Sequence, residues 1–368
     1  MFLRSIRLLH YKNYTSAQAE FRHSFTLING RNGSGKTNLI DAIHYLCLCK
    51  SYFTRSDAQV MQHGADFFRI DGKLDIDGRS LDISCRVQAG KKEVLKNDVP
   101  YDRLADHIGL LPVAMIAPDD IAIINDGSEE RRRFLDQAIA QQNPLYLKRL
   151  IYYNKVLAQR NALLRQSAGG GHLDATILSG LNGQLAADGT YIYAERKQYL
   201  TRFTPIFSRI YDQVAGGAEE AEIRYESQLH TGDLLALLAT SERDDRFSGR
   251  TGAGVHKDDI TLLVKGYPVR ETGSQGQIKS FLIALKLAQC LLMEQQDGRK
   301  SILLLDDIFE KLDKQRLEVI FTILRDPAFG QIFITDADTT RSMEFCREHL
   351  PGFGHFVVED AVLKEIAP

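Results

Sequence analysis

Three things are scarce in this chain. No apolar run approaches the roughly 18 residues that a membrane-spanning helix requires. The opening Met1-Phe2-Leu3-Arg4-Ser5-Ile6-Arg7 carries no apolar signal core, so the chain is expected in the cytosol, without a membrane role. Cysteine is sparse: five residues, an odd number and without a C-x-x-C pair, exclude a disulfide framework and point to buried reduced thiols. The ten histidines show no metal-ligand spacing. An overall basic excess is also missing, since the net charge is −2. Any surface for a polyanion must therefore be local. No internal repeat or low-complexity tract is visible. With 44% hydrophobic and 26% charged residues, the 368-residue chain has the composition of an ordinary globular protein with enough material for two or three domains.

What the chain does contain begins at Gly30-Arg31-Asn32-Gly33-Ser34-Gly35-Lys36-Thr37, followed by Asn38. All four positions of G-x-x-x-x-G-K-[ST] are filled. Glycines let backbone N–H groups approach phosphates without a Cβ in the way. The Lys36 ammonium suits the β and γ phosphates of ATP, and the Thr37 hydroxyl suits Mg²⁺. Phe25–Ile28 reads as a buried strand, and Leu39, Ile40, Ile43 and Leu46 recur at helical spacing. Strand, loop and helix in that order put the positive end of the helix dipole at the phosphates.

Farther on, Leu81, Ile83, Cys85 and Val87 alternate with polar residues after an Asp77-Gly78 turn, which predicts an antiparallel sheet beside the phosphate-loop strand. Val113–Ile116 reads as another strand. From Ser128, which can cap, the pattern turns helical, with Glu129 and Glu130 in the first turn. Asn143-Pro144 restarts a helix that runs to Gly169-Gly170-Gly171. A second helical run returns through Ile177, Leu185, Tyr191 and Tyr199. Two antiparallel helices joined at a glycine tip make a short arm. Between Ser128 and Gln166, eight lysines and arginines face three acids. Arg131, Arg132, Lys148, Arg149, Lys155 and Arg160 are the candidate DNA-contacting residues of this local basic surface. A solvated helix face is the plain alternative, and for Arg131 to Arg133 so is pairing with Asp119, Asp120 or Asp136.

The second half of the nucleotide site lies near the other end. Ile302–Leu305 is a buried strand running into Asp306 and Asp307. Asp306 can hold Mg²⁺ opposite Thr37, and Asp307 can polarise an attacking water. Ser274-Gln275-Gly276-Gln277 opens a helix, with Ser274, Gly276 and Gln277 suited to a phosphate. Two phosphate-binding helix starts crowd one γ-phosphate if they come from one subunit. Two subunits facing each other, each lending Ser274 in trans, relieve that crowding and make ATP the glue of a homodimer.

These stretches resemble the ABC-type ATPase heads of the SMC and Rad50 class, and within it the RecF family. The resemblance spans the chain. Its carriers are Tyr11-Lys12-Asn13-Tyr14 with the phosphate loop, Ala117-Pro118-Asp119-Asp120 running on to Arg131-Arg132-Arg133-Phe134-Leu135-Asp136, Gly254-Val255-His256-Lys257-Asp258-Asp259, and the signature serine segment with Asp306, Asp307, Leu312, Asp313 and Arg316. It implies an α/β P-loop ATPase head with an inserted, mainly helical lobe bearing the arm: residues 1–117 and 249–368 as the ATPase lobe and 118–248 as the insertion. It adds Lys12 and Asn13 to the nucleotide site. It further implies an ATP-held dimer on duplex DNA and single-strand/double-strand junctions, partners of the RecO and RecR kind, help in loading RecA, and slow, switch-like ATP hydrolysis without helicase or nuclease activity. The chain departs from the family pattern at Lys12, Asp126, Ser128, Val255, Glu310 and Lys311, and no glutamine is assigned to the Mg²⁺-sensing loop. The ATPase subunit of a transporter or of another SMC-like complex shares the loop and signature serine, but is usually shorter and without the arm. A small-molecule kinase leaves Ser274–Gln277 and the arm unexplained.

Overall fold

The structure, a computed structural model, describes residues 1–168, 174–217, 219–310 and 312–366. Two compact units emerge: Met1–Ile121 with Arg209–Ala218 and Ser274–Pro368, and Ala122–Ser208 with Glu219–Gly273. The first boundary lies near the expected one. The second does not, because residues 249–273 belong with the helical unit. Asp259–Val264 pairs there with Ala221–Glu226, and strand pairing assigns a segment to a unit more strongly than nearness in sequence.

In the first unit a six-stranded sheet runs in the order Val362–Ile366, Gly354–Glu359, Phe25–Asn29, Ile332–Asp336, Ile302–Leu305, Val113–Ile116. Every pairing except the terminal hairpin is parallel. The three strands Phe25–Asn29, Ile332–Asp336 and Ile302–Leu305 are buried throughout, as continuous apolar runs in a parallel sheet demand. Parallel strands share one carboxyl edge, so Asn29, Ile116, Leu305 and Asp336 all deliver their following residues to the same place.

The predicted antiparallel strands are not beside the phosphate-loop strand. They form a separate sheet in the order Tyr14–Glu20, Phe2–Tyr11, Phe67–Ile76, Arg79–Gln88, Lys91–Lys96, Val99–Pro100. The Asp77-Gly78 turn closes its hairpin, both residues having positive φ. The helix Lys36–Leu48 packs against strands of both sheets, which explains why eleven of its thirteen residues are buried. The helix Gln275–Asp297 is, among the described residues, long and apolar enough by length and composition to cross a membrane, yet most of it is buried in the protein.

The helical unit holds Ser128–Ala140, the arm helices Pro144–Ala168 and Ala175–Ala215 (the latter through Ser208), and a three-stranded sheet. Ser128 does not cap: Gly127 holds that position and no side chain accepts there. Asn143 does accept, its Oδ1 receiving the Tyr146 N–H at 3.0 Å, and Pro144 then starts the helix, where it has no N–H to satisfy. The arm is antiparallel: Asn143 reaches Tyr191, Arg149 reaches Asp188, and Tyr152 reaches Gln184. The glycine tip Gly169–Gly171 lies outside the described residues.

Candidate nucleotide site and basic surface

The loop between Asn29 and Lys36 is folded by its glycines and braced from outside. Gly35 has φ +122°, and a Cβ there would meet the Asn13 Nδ2 at 2.8 Å and the Tyr14 hydroxyl at 2.9 Å, so both the conformation and the space require glycine. Asn13 donates to the Ser34 carbonyl at 3.1 Å and Tyr14 to the Gly35 carbonyl at 2.9 Å. Asn38 donates to the Asn13 Oδ1. Lys36 Nζ reaches the carbonyls of Gly30 (2.9 Å) and Arg31 (3.3 Å), which places its ammonium along the inside of the loop. Asn13 thus buttresses the loop.

Lys12, expected at the nucleotide, is placed differently. Its ammonium pairs with the buried Asp41 at 2.6 Å, and Asp41 also accepts from Tyr11, Ser51 and the Tyr52 N–H. Asp41 sits on the phosphate-loop helix, so Lys12 anchors that helix. Drawing Lys12 away would leave the Asp41 carboxylate buried without its cation, which is costly.

At the carboxyl edge of the sheet Thr37 Oγ1 donates to Asp306 at 3.0 and 3.1 Å, and Thr335 Oγ1 donates to the same carboxylate at 2.7 Å. Burial pushes the Asp306 carboxyl up to about 6, against the pull of the Thr335 and Thr37 hydrogen bonds and with added repulsion from Asp307. Asp307 follows in a left-handed conformation (φ 48°), its N–H bonded to Thr335. Burial raises its carboxyl too, with Lys36 opposing. Its Oδ1 is buried and has no protein partner. A buried acceptor without a donor is costly unless something else supplies one.

The donor set fits Mg²⁺. A hydroxyl and a carboxylate oxygen meet, and among the described residues no group of three or more metal-ligating side chains occurs. Mg²⁺ takes one or two protein oxygens and completes its octahedron with water and phosphate oxygens, which suits such a sparse site.

The signature segment forms as a capping box. Ser274 Oγ accepts the Gln277 N–H at 3.2 Å, and Gln277 Oε1 accepts the Ser274 N–H at 2.6 Å. Ser274 is exposed. Arg316 crowds Gly276, where a Cβ would come within 2.2 Å of its guanidinium, and Asp313 caps the helix that carries Arg316. Lys311 lies outside the described residues. Sequence reasoning missed the support of this helix: the Lys286 ammonium pairs with Asp120 at 3.0 Å, both buried, and Tyr52 bonds to each. Asp120 follows the strand Val113–Ile116, and its spacing from Lys286 leaves no signal in the chain.

The candidate basic residues separate by burial. Arg160 is wholly buried, bonded to Asp245, Asn182 and Thr251, and offers nothing to a partner. Its assignment to the DNA surface is corrected: it ties the arm to the helix Glu242–Ser248. Arg131 grips Asp259 through two hydrogen bonds, and Arg133 pairs with Glu129 and Glu130. The expected partners are otherwise engaged, Asp120 with Lys286 and Asp136 with Arg196. Lys148, Arg149 and Lys155 are exposed on the arm, with Arg149 paired to Asp188.

Comparisons with known proteins agree with this geometry. Residues 2–351 match the model of the RecF/RecN/SMC N terminal domain family. A protein of Parabacteroides distasonis named DNA replication and repair protein RecF is 43% identical over 92% of this chain and 92% of its own length. A Flavobacterium johnsoniae protein of the same name is 43% identical over 93% of this chain and 96% of its own. A solved structure of the recombination mediator protein RecF with ATP in the RecFOR pathway superposes with a TM-score of 0.89 at 26% identity, covering 100% of this chain and 98% of that one. An SMC head bound to the C-terminal winged-helix domain of ScpA shares the fold alone, with a TM-score of 0.58 at 15% identity over 100% of this chain and 97% of its own.

Proposed function

The chain belongs to the RecF family of ABC-type, SMC-like ATPase heads, and on that premise we propose that it is an ATP-switched DNA-binding protein of replication and recombinational repair. The observation that carries this reading is the meeting of Thr37 and Asp306, which joins a phosphate loop to a metal-holding carboxylate at one sheet edge. ATP lies along Gly30–Asn38, with Lys36 on its terminal phosphates. Mg²⁺, held by Thr37 and Asp306, supplies charge neutralisation at those phosphates when bound. Asp307, a carboxylate lifted by burial, orients water and receives its proton. Hydrolysis is slow and serves as a reset.

Ser274 acts in trans, and the exposed capping box supports that role: its hydroxyl stands at a helix N-terminus open to a second copy. ATP thereby holds a homodimer, and loss of the γ-phosphate releases it. The name of the relatives, DNA replication and repair protein RecF, supports DNA as the partner, and duplex and junction DNA are the forms proposed. The RecFOR pathway named for the solved neighbour supports RecR- and RecO-like companions, and RecA loading is the outcome proposed. The cytoplasm is the expected location.

The test is gel filtration with ATP, with ADP and with neither, each with and without gapped duplex DNA. A dimer that forms only with ATP is expected. Ser274→Arg is expected to keep ATP binding and lose the dimer. An ATP-bound dimer in that variant would mean the site is not shared.

A further inference from the structure

Arg131, Arg132 and Arg133 follow one another on the helix Ser128–Ala140 and meet different fates. The first and third are neutralised by carboxylates. Arg132 is not: among the described residues its one hydrogen bond runs from Nη1 to the Asp258 carbonyl, at 2.6 Å. A guanidinium has five N–H donors, so four remain. Burial, and after it the neighbouring Arg196, hold the guanidinium below its usual range against the pull of Asp259, Asp136 and Asp258, and among the described residues none of those carboxylates hydrogen-bonds to it.

The carbonyl that Arg132 grips belongs to the residue after Lys257. Lys257 ends the single turn Val255–Lys257, is exposed, and has no ion pair among the described residues. The two aspartates beside it are turned elsewhere: Asp258 is buried against Arg196 (2.9 Å) and Tyr225 (2.6 Å), and Asp259 is clasped by Arg131. The turn itself is held. Asp258 N–H returns to the Val255 carbonyl, and a Cβ on Gly254 would meet the Tyr153 hydroxyl at 2.5 Å. His256 adds no charge near neutral pH, because its two ring nitrogens are engaged by the Tyr153 hydroxyl and the Thr251 carbonyl and burial pushes it down to about 4.

We propose that Arg132 and Lys257 form a preorganised oxyanion site for a backbone phosphate of DNA, and that the paired motifs around Arg131 and Asp259 exist to hold those two cations at the surface. The proposal deepens the DNA-binding reading above and rests on it. Arg132 is hydrogen-bonded to the residue next to Lys257, and a planar fork together with a point charge suits phosphate oxygens. Lys257 is exposed and Arg132 half-buried, and a polymer phosphate requires only donors at the right place.

The test uses the full chain with ATP and a fluorescent gapped duplex, titrated with KCl. Arg132→Gln and Lys257→Gln are each expected to lower the slope of log affinity against log salt by about one, which is a loss of about eightfold at 0.1 M KCl. Arg132→Lys is expected to keep the slope. Affinity for a fluorescent ATP analogue is expected to stay at wild type in all three. The Lys257 side chain is exposed and in no hydrogen bond or ion pair among the described residues, so its variant stands even if Arg132→Gln lowers stability. Wild-type slopes in both glutamine variants would overturn the site while leaving DNA binding intact. Reduced ATP affinity with an unchanged DNA slope would assign the cations to nucleotide instead. A wild-type chain that fails to bind DNA would overturn both this site and the functional reading.

Discussion

Thr37 and Asp306 lie 269 positions apart in the chain and share a hydrogen bond of 3.0 Å. Each closes a sheet element: Thr37 the loop after Phe25–Asn29, Asp306 the strand Ile302–Leu305. The strand Ile332–Asp336 separates them in the sheet, and its Thr335 bonds the same carboxylate. The sheet order is thus what assembles the site.

Lys36→Met is expected to abolish ATP binding, because its ammonium is the cation along the inside of the loop. Thr37→Ala is expected to weaken ATP binding only when Mg²⁺ is present. Equilibrium binding of a fluorescent ATP analogue, with Mg²⁺ and with chelator, checks both. Full affinity in the Lys36 variant would remove the loop from the mechanism.

Asp307→Asn is expected to slow hydrolysis at least tenfold and to lengthen the life of the ATP dimer, since the amide orients water without taking its proton. Phosphate release and dimer lifetime measured on the same sample decide it. Wild-type turnover would assign the proton to another group.

The basic surface divides into structural and exposed parts. Arg160→Leu leaves Asp245 buried and unpaired, which costs about 3–5 kcal/mol of stability. Lys148→Gln with Lys155→Gln is expected to lower the salt slope of DNA binding by about two. Thermal melts beside salt titrations separate the two effects. An unchanged slope in the double variant would take the arm out of the DNA interface.

Acid destabilises the first unit through His44. This residue is fully buried on the phosphate-loop helix, and burial pushes its ring down to about 4. The unfolded chain takes up a proton below about 6.5, which the folded chain refuses until about 4. Stability is therefore complete above pH 6.5 and declines as pH falls toward 4, by about 3 kcal/mol from this group. His44→Gln is expected to narrow the difference in melting temperature between pH 7.5 and pH 4.5. A difference equal to that of the wild type would count against His44 as the source.

Much of the site was legible because it is local. Gly30–Thr37 carries its own turn, its own donors and its own helix, so residue order alone specifies it. The capping box at Ser274 and Gln277 is equally local. The pairing of Lys12 was not legible, because its partner, Asp41, is a helix residue whose burial no pattern announces. Arg160 was misread for the same reason: an arginine on a basic helix looks solvated until Asp245 is seen against it. The antiparallel sheet was recognised strand by strand, but alternation says only which face is buried, not which sheet a strand joins.

By itself, then, the chain determined the phosphate loop, the carboxylate-ended strand and the helical runs of the arm, because each depends on residues within a few positions of one another. Only the tertiary structure decided that Thr37 reaches Asp306, that residues 249–273 join the helical unit, and which arginines are spent on internal carboxylates. Those outcomes are set by burial and by strand order. Both arise between segments tens to hundreds of residues apart, where spacing in sequence carries no information about distance.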